Sequence, residues 1–220
     1  MNVSSLIKQY FISDNNSIVD ISIDVFDEKN IYSVYQRIVG VLTKHMSIET
    51  TVLQGMSYCF YEILDNVLTH SDKEMGTVIT QYNASEHTVA ILVADDGRGI
   101  QSSLSENEKY ANVSESEALK ICIKDSVTDG KGMGFGLYST SLLVHNAGIR
   151  FVICSGAHTL TMQNGKVTVE ECDFWQGTII YLCLRTDKEI NPAEVVAGRT
   201  DVAAQYNESF LNNSEIEELW

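Results

Sequence analysis

Proline is almost missing from this chain: Pro192 is the only one in 220 residues. Long proline-rich linkers are thereby excluded, and the length suits one domain or one domain with an appendage. No apolar run approaches the roughly 18 residues needed to span a bilayer, so no membrane segment is expected. The N-terminal stretch MNVSSLIKQYFISDNN has one Lys, no sustained apolar run and no small-residue cleavage site, which predicts no signal peptide. Cations are scarce, with 15 Lys and Arg against 30 Asp and Glu and a formal net charge of −15. Such a surface repels phosphate backbones, so nucleic acid is not an expected partner. The five cysteines (Cys59, Cys122, Cys154, Cys172 and Cys183) are odd in number, scattered, and include no C-x-x-C pair. They read as reduced thiols of a cytoplasmic protein, mostly core filler, without the ligand spacing of a zinc site.

What is present is a hydrophobic content of 44%, enough for a real core. IVDISIDVF (18–26) alternates partly between apolar and polar residues and predicts a first strand. Residues 28–45 read as a helix with Val34, Ile38, Val41 and Leu42 as its apolar stripe. A second helix is expected from about Ile48 to His70, with Ser47 as its N-cap. TVITQYN (77–83) and TVAILVAD (88–95) predict a hairpin joined by ASEH. From about 100 to 131 the chain is long, mostly polar and aperiodic, with one short helix expected over 117–124. Segments of that kind between core elements are usually lids or disordered. A helix follows over 137–146 with Gly148 as its C-cap. Strand-like runs come next at 149–154, at 158–163 or 166–171 around the turn signal Asn164-Gly165, and at 177–184. Residues 187–220 read as an acidic appendage, and 1–17 as an N-terminal extension.

Three places carry chemistry. On the second helix, Glu62, Asn66 and His70 recur at i, i+4 and i+8 and form one polar stripe opposite Leu53, Met56, Phe60, Ile63, Leu64 and Val67. Taken alone, that stripe reads more readily as a solvated helix face. In ILVADDGRGI a buried strand ends at Asp95, and Gly97 and Gly99 follow. An acid there can accept a hydrogen bond from a ligand amine while glycines let a flat ring approach the backbone, although Asp-Asp-Gly is also a common turn. In GKGMGFGL (130–137) glycine occupies every second position just before a helix. Free N–H groups and the positive end of the helix dipole make a phosphate cradle. A hinge is the bland alternative.

In this order the three resemble the boxes of the GHKL superfamily, which groups gyrase-type ATPases, heat-shock chaperones, histidine kinases and mismatch-repair proteins. E-x-x-x-N is Glu62 to Asn66, D-x-G-x-G is Asp95, Gly97 and Gly99, and G-x-G-x-G-L is Gly132, Gly134, Gly136 and Leu137. Gly177-Thr178 matches a later element of the same pattern. The resemblance covers about 18–186, with a lid at 100–131. It implies an α/β (α+β) two-layer sandwich, a mixed, mainly antiparallel sheet with helices on one face, the Bergerat ATP-binding fold. It also implies ATP and Mg²⁺ as cofactors. Asn66 would ligate the metal, and Glu62 would polarise a water or hydroxyl for attack on the γ-phosphate. Asp95 would accept from the adenine amino group, with Gly97, Gly99 and Ile100 against the ring. Gly132, Met133, Gly134, Phe135, Gly136 and Leu137 would wrap the phosphates, and Thr178 would bond near adenine. Lys131 is either a γ-phosphate contact or a solvated lid lysine, and Arg98 is the other nearby cation.

Within the superfamily the chain is similar to stand-alone anti-sigma-factor-type serine kinases. Only 61 residues precede Glu62, and His45, the sole histidine among them, is followed by Met46-Ser47 rather than an acid. Self-phosphorylation on His is therefore not expected, nor is there room for a transducer domain. The implied activity is transfer of γ-phosphate to a Ser or Thr of a regulatory partner protein, or slow ATP hydrolysis. The alternative is an ATP-gated protein-binding module without productive turnover. A homodimer is left open.

Overall fold

In a computed structural model, the described residues are 11, 18–131 and 136–188. Five strands form one sheet in the order β1-β2-β3-β5-β4, where β1 is Ile18–Phe26, β2 Gly76–Asn83, β3 Thr88–Ala94, β4 Arg150–Gln163 and β5 Lys166–Arg185. Every pair of neighbours is antiparallel, so the sheet is antiparallel throughout rather than mixed. Among the described residues, helices run over α1 (Ile31–His45), α2 (Thr50–His70), α3 (Gly99–Leu104), α4 (Glu115–Ile121) and α5 (Gly136–Asn146), with a 3₁₀ turn at Glu108–Tyr110.

The main core lies between the helices and one sheet face. The stripe Leu53, Met56, Phe60, Ile63, Leu64 and Val67 is buried, as are Val34, Ile38 and Leu42 of α1. They meet Val78 of β2, Val89, Ile91 and Val93 of β3, and Phe151 and Ile153 of β4. The alternate residues Ile79, Ala90, Leu92, Val152, Ile179 and Tyr181 form a second apolar layer on the opposite face. Phe11 belongs to that layer, its ring edge-on to Tyr181 at 6.0 Å. The central strand β3 is thus buried on both faces, which is why it reads as a continuous apolar run.

Four expectations need correcting. The cap of α2 is Glu49, not Ser47, and its side chain makes no capping bond. The region after Gly99 is not aperiodic: it holds α3, the 3₁₀ turn and α4, with Leu104, Tyr110, Ala118, Leu119 and Cys122 buried. These helices are too short for a 3.6-residue period to show against polar neighbours. The short helix is Glu115–Ile121, capped by Ser114, whose Oγ accepts from Glu117 N at 3.3 Å, and not 117–124. Finally, the strand-like runs after 149 are two long strands. They turn at Asn164-Gly165, where both φ angles are positive (51° and 73°), as a two-residue hairpin loop demands. Gly148, at φ 62°, ends α5 as expected. Residues 1–10, 12–17 and 189–220, which include most of the two terminal segments, lie outside the described residues.

Candidate functional site

Two close contacts bring motif residues towards α2, one from the start of α5 and one from the turn after β3. α2 contributes Glu62 and Asn66, both half-buried, on the face opposite its apolar stripe. The start of α5 lies directly against them. A Cβ on Gly136 would sit 2.6 Å from Glu62 Oε2 and 3.4 Å from Asn66 Nδ2. Any side chain there would push the Glu62 carboxylate out of its present position. Burial holds the Glu62 carboxyl above the usual carboxylate range and Asp65 adds to the rise, while a Tyr58 hydrogen bond and His70 oppose it.

Asp95 follows the last residue of β3 and is 6% exposed. Its Oδ1 accepts from Gly97 N at 2.8 Å, and its own N donates to Thr178 O at 3.0 Å. Trp175 Nε1 donates to Asp95 O at 2.7 Å. Gly177 passes so close that a Cβ there would lie 2.4 Å from Asp95 Oδ1. A Cβ on Gly97 would lie 2.2 Å from Ser71 O, just past the end of α2. The two glycines let β5 and the end of α2 close on one carboxylate. Burial raises that carboxyl to about 6, against the hydrogen bonds from Gly97 and Thr178.

Gly99 has φ 77° and packs against Ser155 and Gln176, and Ile100 N donates to Ser155 Oγ at 2.9 Å. Both line a cavity of about 340 Å³ whose other walls include Glu115, Leu119, Phe174 and Gln176. Glu62, Asn66 and Asp95 are not among its walls, so Ile100 is the expected site residue least joined to the rest. Leu137 is half-buried against the main core. Gly132, Met133, Gly134 and Phe135 lie outside the described residues.

The two cations are committed. Arg98 donates through Nε to His70 O at 3.0 Å, pairs with Glu106 through both terminal nitrogens, and lies 3.4 Å from Asp72. Lys131 Nζ lies 3.6 Å from Asp72 and 3.4 Å from Glu106.

Asp129 escaped the sequence reading. Its side chain is only 1% exposed. Oδ2 is 2.7 Å from His70 Nδ1 and accepts from Ser103 Oγ at 2.7 Å, while Oδ1 accepts from Lys131 N at 2.9 Å. Burial pushes its carboxyl up, but the Lys131 N–H, the Ser103 hydroxyl and His70 together leave it below the ordinary value. In sequence, Asp129-Gly130 reads as a turn; nothing local marks it as buried.

A family model described as histidine kinase-, DNA gyrase B-, and HSP90-like ATPase matches residues 51–188, more than half of the chain. The chain belongs to this ATPase family. It therefore carries an ATP-binding domain of the histidine-kinase-like type, and the GHKL resemblance and the sandwich expected from it hold. Comparison with curated proteins finds no match. The family match starts at α2, so β1 and α1 lie ahead of it, yet β1 pairs with β2 in unbroken register from Asp20 to Phe26. Among the described residues no helix is long and apolar enough to cross a membrane, and no group of three or more His, Cys, Asp or Glu is placed to hold a metal ion. A single amide ligand such as Asn66, completed by phosphates and waters, fits Mg²⁺ without such a cluster.

Proposed function

We propose that this protein binds Mg-ATP in a domain spanning about 18–186 and transfers the γ-phosphate to a Ser or Thr of a regulatory partner protein, or slowly hydrolyses ATP. The observation that carries this reading is the contact of Gly136 with Glu62 and Asn66. A helix N-terminus suited to phosphate is held against one carboxylate and one amide oxygen source. Mg²⁺, when bound, would neutralise charge developing on the phosphoryl oxygens. Asn66 is the residue to hold it. Glu62 is the base, and its raised pKa suits proton abstraction near neutral pH better than an ordinary glutamate would. Asp95 and Thr178, bonded to each other across β3 and β5, form the adenine end. Gly97 and Gly99 give close backbone approach there, with Ile100 beyond. Leu137 and the glycine loop from Gly132 to Gly136, including Met133 and Phe135, form the phosphate end.

One observation favours the second reading, an ATP-gated binding module without productive turnover. Lys131 and Arg98, the cations nearest the motifs, are taken up by Asp72, Glu106 and Asp129 rather than left for phosphate. Glu62→Gln separates the two. With labelled ATP, the kinase or ATPase reading expects turnover to fall at least about a hundredfold while Mg-ATP binding stays within a few-fold. Wild-type protein that binds Mg-ATP but shows no turnover, alone or with a partner, would leave the binding module standing.

A further inference from the structure

Strand β1 is an edge of the sheet: β2 pairs with one side, and among the described residues no strand pairs with the other. Edges of this kind are usually blunted by charge, proline or a cover. Here charge lies on the helix-side face only, at Asp20 and Asp24, and the other face is aliphatic and bare. Ile21, Ile23 and Val25 point to the sheet face away from the helices and are 46%, 59% and 55% exposed. In register they face Gln81, Ile79 and Thr77 of β2, and Ile79 is already part of the second apolar layer. The exposed residues therefore extend that layer outward to an open edge.

The sequence of this edge has a symmetry of its own. Residues 19–25, V-D-I-S-I-D-V, read the same in both directions about Ser22. Antiparallel pairing of two identical strands about a two-fold axis sets each residue opposite its mirror position in the other copy, so here like meets like. Centred on Ser22, it sets Ile21 of one copy opposite Ile23 of the other, and Asp20 opposite Asp24. The aliphatic pairs are favourable. The carboxylate pairs would repel if bare, but each is already matched by a cation of α1. Arg37 Nη2 is 2.8 Å from Asp24 Oδ1, and Lys44 Nζ is 2.9 Å from Asp20 Oδ2. The Lys44 contact holds the Asp20 carboxyl below its ordinary value. Across the join, Arg37 of one copy comes to the Asp20 side of the other, and Lys44 to the Asp24 side. Charges of both signs thus alternate along the seam on the helix side, with aliphatic residues along the other.

We infer that β1 is the contact of a two-fold homodimer, in which two five-stranded sheets join edge to edge into one continuous sheet. Because of the palindrome, a second copy centred on Ser22 sets aliphatic residues opposite aliphatic residues, which is what favours a second copy as the occupant. The pairing does not depend on the nucleotide site, so it is expected with and without Mg-ATP.

Sedimentation of the full chain, without nucleotide and up to roughly 100 µM, is expected to show a species of twice the 24.5 kDa chain mass. Ile23→Lys adds charge at a position 59% exposed, so the fold should survive, with an unchanged far-UV spectrum and, at dilutions where both proteins are monomeric, an unchanged melting temperature. It is expected to weaken association at least tenfold. Ser22→Cys tests the register: under diamide it should cross-link to its own copy, while wild type, with its five native thiols, does not. Because each copy carries −15, association should also strengthen with salt. Wild type that stays monomeric, or a dimer undiminished in Ile23→Lys, overturns the proposal. A dimer in which Ser22→Cys fails to cross-link overturns the palindromic register.

Discussion

Asp95 stores a cost that the fold itself does not require. Its carboxyl titrates at about 6, against an ordinary 3.8. The folded state therefore holds this proton more tightly than the unfolded chain, and between those two values stability falls as pH rises. Above about pH 6 the ionised, buried carboxylate lowers stability by at most roughly 3 kcal/mol. Asp95→Asn removes the charge. The ligand-free variant is expected to melt above wild type at pH 7.5, by an amount that shrinks towards pH 4. On the proposed function, in which Asp95 accepts from the adenine amine, the same change should abolish the thermal shift given by Mg-ATP. A variant that keeps the full Mg-ATP shift would remove Asp95 from the adenine end. Carrying such a cost in a water-poor corner is common at binding sites and unusual elsewhere.

Among the elements, the segment after β3 behaves as a folded unit tied to α2. Asp129 is the tie. It joins Ser103 of α3, His70 at the end of α2 and the backbone of Lys131, just before the glycine loop. Asp129→Ala leaves the Ser103 hydroxyl and the His70 ring without their buried acceptor and Arg98 with one anion fewer. A loss of about 2–4 kcal/mol is expected, confined to this unit. Hydrogen exchange checks this: amides of 99–131 should lose protection while those of β2 and β3 keep theirs. Uniform loss across the sheet would mean that Asp129 supports the global fold rather than this segment.

The whole molecule carries a formal charge of −15, and its ion pairs sit largely at the surface. Self-repulsion among 30 acids outweighs what screening takes from those pairs. The melting temperature should therefore rise as salt increases from about 20 to 300 mM, within the range where screening lengths shrink below the spacing of surface charges. A falling melting temperature would show that the surface ion pairs dominate instead.

Much of this was legible in the chain. The stripe on α2 and the alternation in β1 are periodic signals that burial imposes directly, and they foretold those elements to within a few residues. Glu62, Asn66, Asp95 and Gly136 were legible because they stand in an ordered set of motifs, the order that the family match supports. Other features were not. The short lid helices give too few turns for a period. Asp129 is polar, stands beside a glycine and looks like a turn; its burial arises from Ser103 and His70, 26 and 59 residues away. The capture of Lys131 and Arg98 by Asp72 and Glu106 is likewise a matter of which loops fold together.

The sequence by itself therefore determined the family, the main elements and the residue types that a nucleotide site needs, because these rest on local period and on motif order. The tertiary structure alone decided that Gly136 touches Glu62, that Asp95 is sealed by Gly177, and that an acid in the lid is buried under His70. Those contacts join residues far apart in the chain. Their energies come from desolvation and close approach, and neither exists until the elements pack.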